Sequence, residues 1–150
     1  MVNSLDKSEC GLGGFPLSKV SAEAELIGAI EKWSVPILFR SGEILFKLGD
    51  PPDHTYFVEA GEVLLTMPVS GGEEWTVQAE EGSILGLPAI MGNEPYSLTA
   101  TVSRDSQIWR LSRENFHQLM QENPRVCCNV LQILAGEVLA ARTALSKLLG

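Results

Sequence analysis

The hydrophobic and polar positions of the 150-residue chain change their period twice. From Ser21 to Trp33 the apolar residues recur at helical spacing and glutamates fall between them, which predicts an amphipathic helix with Ser21 as its N-cap. From Val35 to Leu111 short runs rich in β-branched and aromatic residues are bounded by Gly, Pro, Asp or Ser, which is typical of strands. After Leu111 the helical period returns. The pattern therefore predicts a mainly β domain with an N-terminal helix and a long C-terminal helix.

The central segment is predicted to form many short strands. Residues 62–69 and 73–78 both alternate apolar and polar positions on either side of Gly71 and Gly72, so they form a hairpin with one buried face. Short strands at regular spacing indicate a sandwich or a barrel. The strands predicted outside the segment 82–96 are 37–39, 43–48, 56–59, 62–69, 73–78, 97–102 and 107–111.

Two helices are predicted at the C-terminal end. Ser112 is placed to cap a short helix through Gln121, and Pro124 suits the first turn of the next helix, 124–149. In this last helix one apolar stripe follows the alternating spacing of a coiled coil, and a second stripe lies beside it. We expect a homodimer; the alternative is that the helix folds back onto its own domain. The predicted dimer interface consists of Leu131, Leu134, Val138, Ala141, Leu145 and Leu148.

Composition and charge argue against several classes of function and location. The formal net charge of −8 opposes nucleic-acid binding, which depends on clustered Lys and Arg. No apolar run is long enough to span a membrane, and the N-terminus has no secretion-signal layout, so we expect a cytoplasmic protein. We expect a flexible arm at 1–17 and one domain at 18–150.

Groups that could support catalysis or bind a metal are sparse. His54 and His117 are far apart in the sequence, and a barrel metal site needs closely spaced histidines. No Ser or Cys lies in a recognisable nucleophile motif. We therefore expect no catalytic residues, no metal and no cofactor, and we interpret the chain as a regulatory or interaction module rather than an enzyme.

The rest of the chain is organised around residues 82–102, which we call the cassette. It is predicted to contain a short strand at 83–85, a turn at Gly86, one helical turn beginning at Pro88, and a second strand. Such a turn points several backbone N–H groups into one concave space, a geometry that can hold an anion. From residue 84 to residue 103, however, there is no Lys, Arg or His, and the only charge is the negative charge of Glu94.

The cassette resembles the phosphate-binding cassette of cyclic nucleotide-binding domains, as found in Crp/Fnr-type regulators. The family pattern is Gly-Glu, a one-turn helix, a loop, then Arg, Ser or Thr, and Ala. The matching residues here are Gly86 and Leu87 at the start and Leu98, Thr99 and Ala100 at the end, so leucine replaces both charged groups. The resemblance extends from near residue 35 to the end of the chain, and it includes Gly42, Gly49, Tyr56, Gly61, Asn123 and Pro124.

The resemblance implies a jelly-roll β-barrel, also called a double-stranded β-helix. In regulators of the family a helix-turn-helix domain follows the long helix, and because this sequence ends at Gly150 we expect a sensor without that DNA reader. The resemblance also implies a ligand site formed by Gly86, Leu87, Pro88, Ala89, Ser97, Leu98, Thr99 and Ala100.

The family uses the Arg for the phosphate and the Glu for the ribose hydroxyl, which Leu98 and Leu87 cannot replace. We therefore expect no binding of cAMP or cGMP in the usual way, because an unpaired buried charge costs several kcal/mol. Two alternatives remain. One is a sensor that binds another small ligand in the barrel and signals through the dimer helix. The other is a ligandless module for dimerisation or for binding an unknown protein partner.

Overall fold

A computed structural model describes the backbone of residues 24–149 and the side chains of residues 24–136. The arm predicted at 1–17 and the predicted cap at Ser21 lie outside the described residues. The elements in chain order are α1 (Ala24–Trp33), β1 (Val35–Phe39), β2 (Ile44–Phe46), β3 (His54–Pro68), β4 (Glu74–Ala79), β5 (Ile84–Leu85), α2 (Leu87–Gly92), β6 (Thr99–Ser112), α3 (Arg113–Glu122) and α4 (Pro124–Leu149).

The two long strands β3 and β6 pair antiparallel along most of their length, and each has two short strands on its other edge. Strands β1 and β5 flank one half of the pair, and β2 and β4 flank the other half. Two four-stranded halves result, in the orders β1-β6-β3-β5 and β2-β6-β3-β4. This is the predicted jelly roll, although the described strands do not close into a continuous ring.

Both long strands bend where they pass from one half to the other. The pairing register of β3 with β6 shifts between Val58 and Val63, around Gly61. The backbone of Gly61 has φ 124°, and a Cβ there would lie 2.0 Å from Ser106 Oγ. The buried hydroxyl of Ser106 accepts a hydrogen bond from the backbone N–H of Glu62 at 3.0 Å.

These bends correct the predicted strand boundaries. The sequence pattern separated 56–59 from 62–69 and 97–102 from 107–111, whereas β3 and β6 each continue through the gap. The reason is that Ser106 bonds the main chain where the register shifts, so the strand need not end there.

Apolar side chains form two clusters, because successive residues of a strand point to opposite faces. The interior cluster lies between the strands, and the helix-side cluster lies between the strands and the helices. The interior cluster contains Phe46, Tyr56, Val58, Val63, Ala79, Leu85, Ala89, Tyr96, Ala100, Val102 and Ile108. The helix-side cluster contains Leu26, Ile30, Phe57, Ile84, Leu87, Ile90, Trp109, Leu111, Phe116, Leu119, Val126, Val130 and Ile133.

The C-terminal helices begin where the sequence predicts. The Ser112 hydroxyl accepts a hydrogen bond from the N–H of Asn115 at 3.1 Å and so caps α3. Leu134 packs half-buried against the helix-side cluster, whereas Leu131 is 43% exposed. The side chains of Val138, Ala141, Leu145 and Leu148 lie outside the described residues. None of the described helices is long and apolar enough to cross a membrane.

Candidate functional site

The cassette has the backbone shape that its sequence predicts. Gly86 adopts a left-handed conformation with φ 88°, directly before α2. The carbonyl of Gly86 accepts the N–H of Ile90 at 3.1 Å, and Pro88 lies in the first turn, where its missing N–H leaves no helical bond unmade. Asn93 ends the helix in a left-handed conformation of its own, with φ 53°. One short helix is thus held between two tight turns.

Gly86 is required by close packing as well as by its conformation. A Cβ at this position would lie 3.1 Å from the ring of Tyr96 and 3.2 Å from the backbone oxygen of His54. Both distances are shorter than ordinary van der Waals contact. The cassette turn therefore lies directly against an aromatic ring that was not among the predicted site residues.

Tyr96 occupies the interior beside the turn. Its side chain is 4% exposed, and its ring stacks on Phe46 with the ring centroids 4.0 Å apart. Its hydroxyl donates to the backbone oxygen of His54 at 2.6 Å and accepts from the backbone N–H of His54 at 3.0 Å. Burial raises the pKa of Tyr96, so the phenol stays protonated and continues to donate at neutral pH.

A second tyrosine stands on the other side of Phe46. The rings of Phe46 and Tyr56 have centroids 5.8 Å apart, and the Tyr56 hydroxyl donates to the backbone oxygen of Leu45 at 3.1 Å. Burial is the main cause that raises the pKa of Tyr56 to about 12. The interior near the cassette is consequently lined by aromatic rings whose hydroxyls already have backbone partners.

The predicted ligand residues do not all face the same way. Ala89 and Ala100 belong to the interior cluster, and Leu98 packs half-buried against it. Leu87 is fully buried in the helix-side cluster beside Ile90, on the other side of the sheet. The leucine matched to the family's Glu therefore packs against the helices and does not line the interior.

The polar members of the predicted set lie nearer the surface. Ser97 and Pro88 are exposed. The hydroxyl of Thr99 accepts the backbone N–H of Leu48 at 3.0 Å, which ties the end of the cassette to the loop after β2. Of the predicted residues, Gly86, Ala89, Leu98 and Ala100 lie on the interior side.

The interior face continues along β4 to solvent. Because strand residues alternate, Trp75 and Val77 share a face with Ala79, which belongs to the interior cluster. Trp75 pairs with Met67 and Val77 with Leu65 in the β3–β4 register. Trp75 and Val77 are each 37% exposed, so the interior face has a partly exposed apolar edge here.

The charged residues around the cassette are not arranged as in a site that binds phosphate. The described cation that bonds to the cassette is Arg113 on α3, whose guanidinium donates to Asn93 Oδ1 at 2.7 Å. The pKa of His54 lies below its ordinary value of 6.5, first because burial disfavours the charged ring and then because Arg110 is nearby. Within the described residues, no group of three His, Cys, Asp or Glu side chains could hold a metal ion.

Comparison with known proteins assigns the family. A family model of the cyclic nucleotide-binding domain matches residues 36–123, more than half of the chain. The chain belongs to the cyclic nucleotide-binding domain family. The suspected resemblance is thereby confirmed, and the domain is of a regulatory type with a Crp/Fnr-like fold.

Two relatives of this cyclic nucleotide-binding domain are much longer proteins. The cAMP-dependent protein kinase regulatory subunit of Debaryomyces hansenii is 31% identical over 105 residues, which cover 69% of this chain and 22% of the relative. The neuropathy target esterase of Drosophila ananassae is 31% identical over 102 residues, 63% of this chain and 7% of the relative. The chain thus spans less than a quarter of each of these relatives.

A solved structure gives the fold comparison. The catabolite activator protein of Thermus thermophilus superimposes with a TM-score of 0.74 and 25% sequence identity. The alignment covers 84% of this chain and 60% of the Thermus protein.

Proposed function

We propose that this cyclic nucleotide-binding domain is a sensor that does not take cAMP or cGMP in the usual way and instead binds an uncharged, largely apolar small molecule. The supporting observation is that residues 84–103 contain no Lys, Arg or His, while Leu98 packs against the interior cluster. A cyclic phosphate beside Leu98 would be a buried charge without a counter-charge, which costs several kcal/mol. The proposal includes a cytoplasmic, non-enzymatic role.

The partly exposed apolar edge at Trp75 and Val77 supports the proposal of an uncharged, largely apolar ligand. Ligand sites are typically concave, mostly apolar, and furnished with a few oriented polar groups. The side chains of Met67, Trp75 and Val77 provide the apolar wall, and the small Ala89 and Ala100 lie at the cassette end. An uncharged aromatic molecule would bury its rings there without leaving an ionised group unpaired.

Calorimetry with two probes tests the proposal. We expect 2-naphthol, an uncharged aromatic probe, to bind and to change the fluorescence of Trp75, and we expect cAMP to give no heat at micromolar concentration. Trp75→Phe should retain the heat and lose that part of the fluorescence change. Micromolar binding of cAMP by the unmodified chain would contradict the proposal.

One substitution checks the cause of the missing nucleotide affinity. Leu98→Arg places a guanidinium at the position matched to the family's Arg, and we expect it to raise cAMP affinity, whereas Leu98→Met should not. Leu87 is unsuitable for the companion change, because Leu87→Glu would bury a carboxylate among the helices. If Leu98→Arg folds and still gives no cAMP heat, lack of the cation is not the reason for the missing affinity.

A ligandless dimerisation or protein-interaction module is the second candidate. The stacking of Tyr96 on Phe46 beside Gly86 favours it, because these rings fill space next to the cassette turn. In that case neither 2-naphthol nor cAMP would produce heat. Leu98→Met would leave dimerisation or partner binding unchanged.

Dimerisation is part of both candidates. The exposed Leu131 on α4 is an apolar side chain that a partner helix would bury. Coiled-coil spacing continues from it along the helix, which supports a seam made by two copies of α4. In the sensor, occupancy of the interior would be signalled through this seam.

A further inference from the structure

Strand β4 has a free edge with exposed apolar side chains. Among the described strands β4 pairs with β3 alone, so the outer edge of Glu74–Ala79 leaves backbone N–H and C=O groups without a strand partner. Its six residues span about 20 Å. Trp75 and Val77 are both 37% exposed next to this edge. An added strand would continue the pleat and place alternate side chains beside these two residues.

Carboxylates stand at both ends of this β4 edge. Glu73 precedes it and Glu74 is its first residue, Glu80 and Glu81 follow it, and all four are exposed. Residues 48–103, just over a third of the sequence, contain nine Asp and Glu and no Lys or Arg. None of the four glutamates forms an ion pair within residues 24–136. The one ion pair within residues 24–136 joins Arg125 to Glu25 and lies elsewhere.

The four glutamates at the ends of the β4 edge disfavour some binding partners and favour others. A second copy of β4 in antiparallel pairing would set glutamates against glutamates, which is destabilising. Nucleic acid and anionic membrane surfaces would be repelled by the same field. An extended peptide segment with a cation at each end would satisfy the backbone edge and both carboxylate pairs.

We propose that the β4 edge docks an extended segment of a partner protein that carries Lys or Arg at both ends of an alternating, partly apolar stretch. Main-chain pairing to residues 74–79 supplies the affinity, and the pairs Glu73/Glu74 and Glu80/Glu81 fix its position and suppress self-pairing. This docking site shares Trp75 and Val77 with the proposed ligand site, but its main-chain pairing does not require a small molecule in the interior. It would stand even if no small molecule bound there.

Fluorescence anisotropy with defined peptides tests the proposal on the full chain. The probe is fluorescein-labelled Lys-Thr-Val-Thr-Val-Thr-Val-Lys, and the control probe has Glu in place of both lysines. We expect the lysine probe to bind and the glutamate probe not to bind. Of two lysine probes N-methylated on one or the other set of alternate amides, one should lose binding, because only one set faces the β4 edge.

A matched pair of variants separates the edge from the overall charge. Glu80→Lys with Glu81→Lys should weaken binding by about tenfold or more. Glu31→Lys with Glu94→Lys, which changes the net charge equally at exposed residues outside β4, should weaken it by about threefold at most. Absence of binding by the lysine probe would overturn the proposal. Equal losses in the two variants, or full binding by both methylated probes, would overturn it as well.

Discussion

The backbone of Gly61 packs against the side chain of Ser106 so closely that a Cβ at position 61 would overlap the Ser106 hydroxyl at 2.0 Å. We therefore expect Gly61→Ala to lower the free energy of unfolding by about 2–5 kcal/mol, through overpacking and the positive φ together. Urea denaturation measures this loss. Gly42→Ala is the control: its φ is 97° but nothing lies within 4 Å, so it should cost only about 1–2 kcal/mol. Equal losses would contradict the close packing.

The hydroxyl of Tyr96 should contribute measurably to stability. Tyr96→Phe keeps the stack on Phe46 and removes both hydrogen bonds between the phenol and the backbone of His54. We expect a loss of about 1–3 kcal/mol in chemical denaturation. Tyr56→Phe, which removes one bond to Leu45, should cost less. If Tyr96→Phe leaves the free energy of unfolding unchanged, water replaces the phenol hydroxyl without loss of stability.

Stability should depend on pH through His54. Its pKa is lowered in the folded state below the ordinary 6.5, by burial and then by Arg110, against opposing effects of Asp53 and Glu114. The unfolded chain therefore takes up the proton first as the pH falls. The contribution of His54 to stability is present above about pH 6.5 and declines as the pH falls from there toward the folded pKa.

Denaturation of the unmodified chain and of His54→Gln at pH 7.5 and pH 5.5, values chosen to lie about one unit either side of the ordinary histidine pKa, measures this effect. The loss of stability on acidification should be smaller in His54→Gln. The matched control is His117→Gln, because His117 is exposed on α3. An unchanged pH dependence in His54→Gln would contradict the assignment.

Leu131 should control the oligomeric state. Because 43% of its surface is exposed in the described chain, Leu131→Glu should leave the fold intact and remove an apolar contact at the proposed seam. Light scattering is expected to give two chains for the unmodified protein and one for the variant. Leu38→Glu, at a 65% exposed residue on β1, should remain dimeric. A monomeric unmodified protein would contradict the proposed seam.

Local signals predict the starts of α3 and α4 and the cassette turn. The hydroxyl of Ser112, the missing N–H of Pro124 and the conformational freedom of Gly86 act within a few residues, so the sequence alone indicates them. The sequence pattern divides β3 because a glycine at position 61 is typical of a strand end, and it divides β6 because Ser and Asp residues lie within 103–106. The strand bends at Gly61 and does not end there, because Ser106, which is distant in the sequence, hydrogen-bonds the main chain at this point.

The interior beside the cassette depends on contacts that sequence spacing does not reveal. Tyr96 lies only two residues before Leu98, yet its role depends on Phe46 and on the backbone of His54, which are distant in the chain. Leu87 was assigned to the ligand site from its match to the family pattern. Its side chain packs with the helices because successive residues at the start of α2 point in different directions.

Strand β6 runs without a loop from Thr99, at the end of the cassette, to Ser112, whose hydroxyl caps α3. Its 14 residues have a contour length of about 45 Å, bend at the register shift near Ser106, and join the candidate ligand site to the helices without a break. In the proposed sensor, ligand binding at the cassette would therefore be linked to the cap of α3 through one continuous strand.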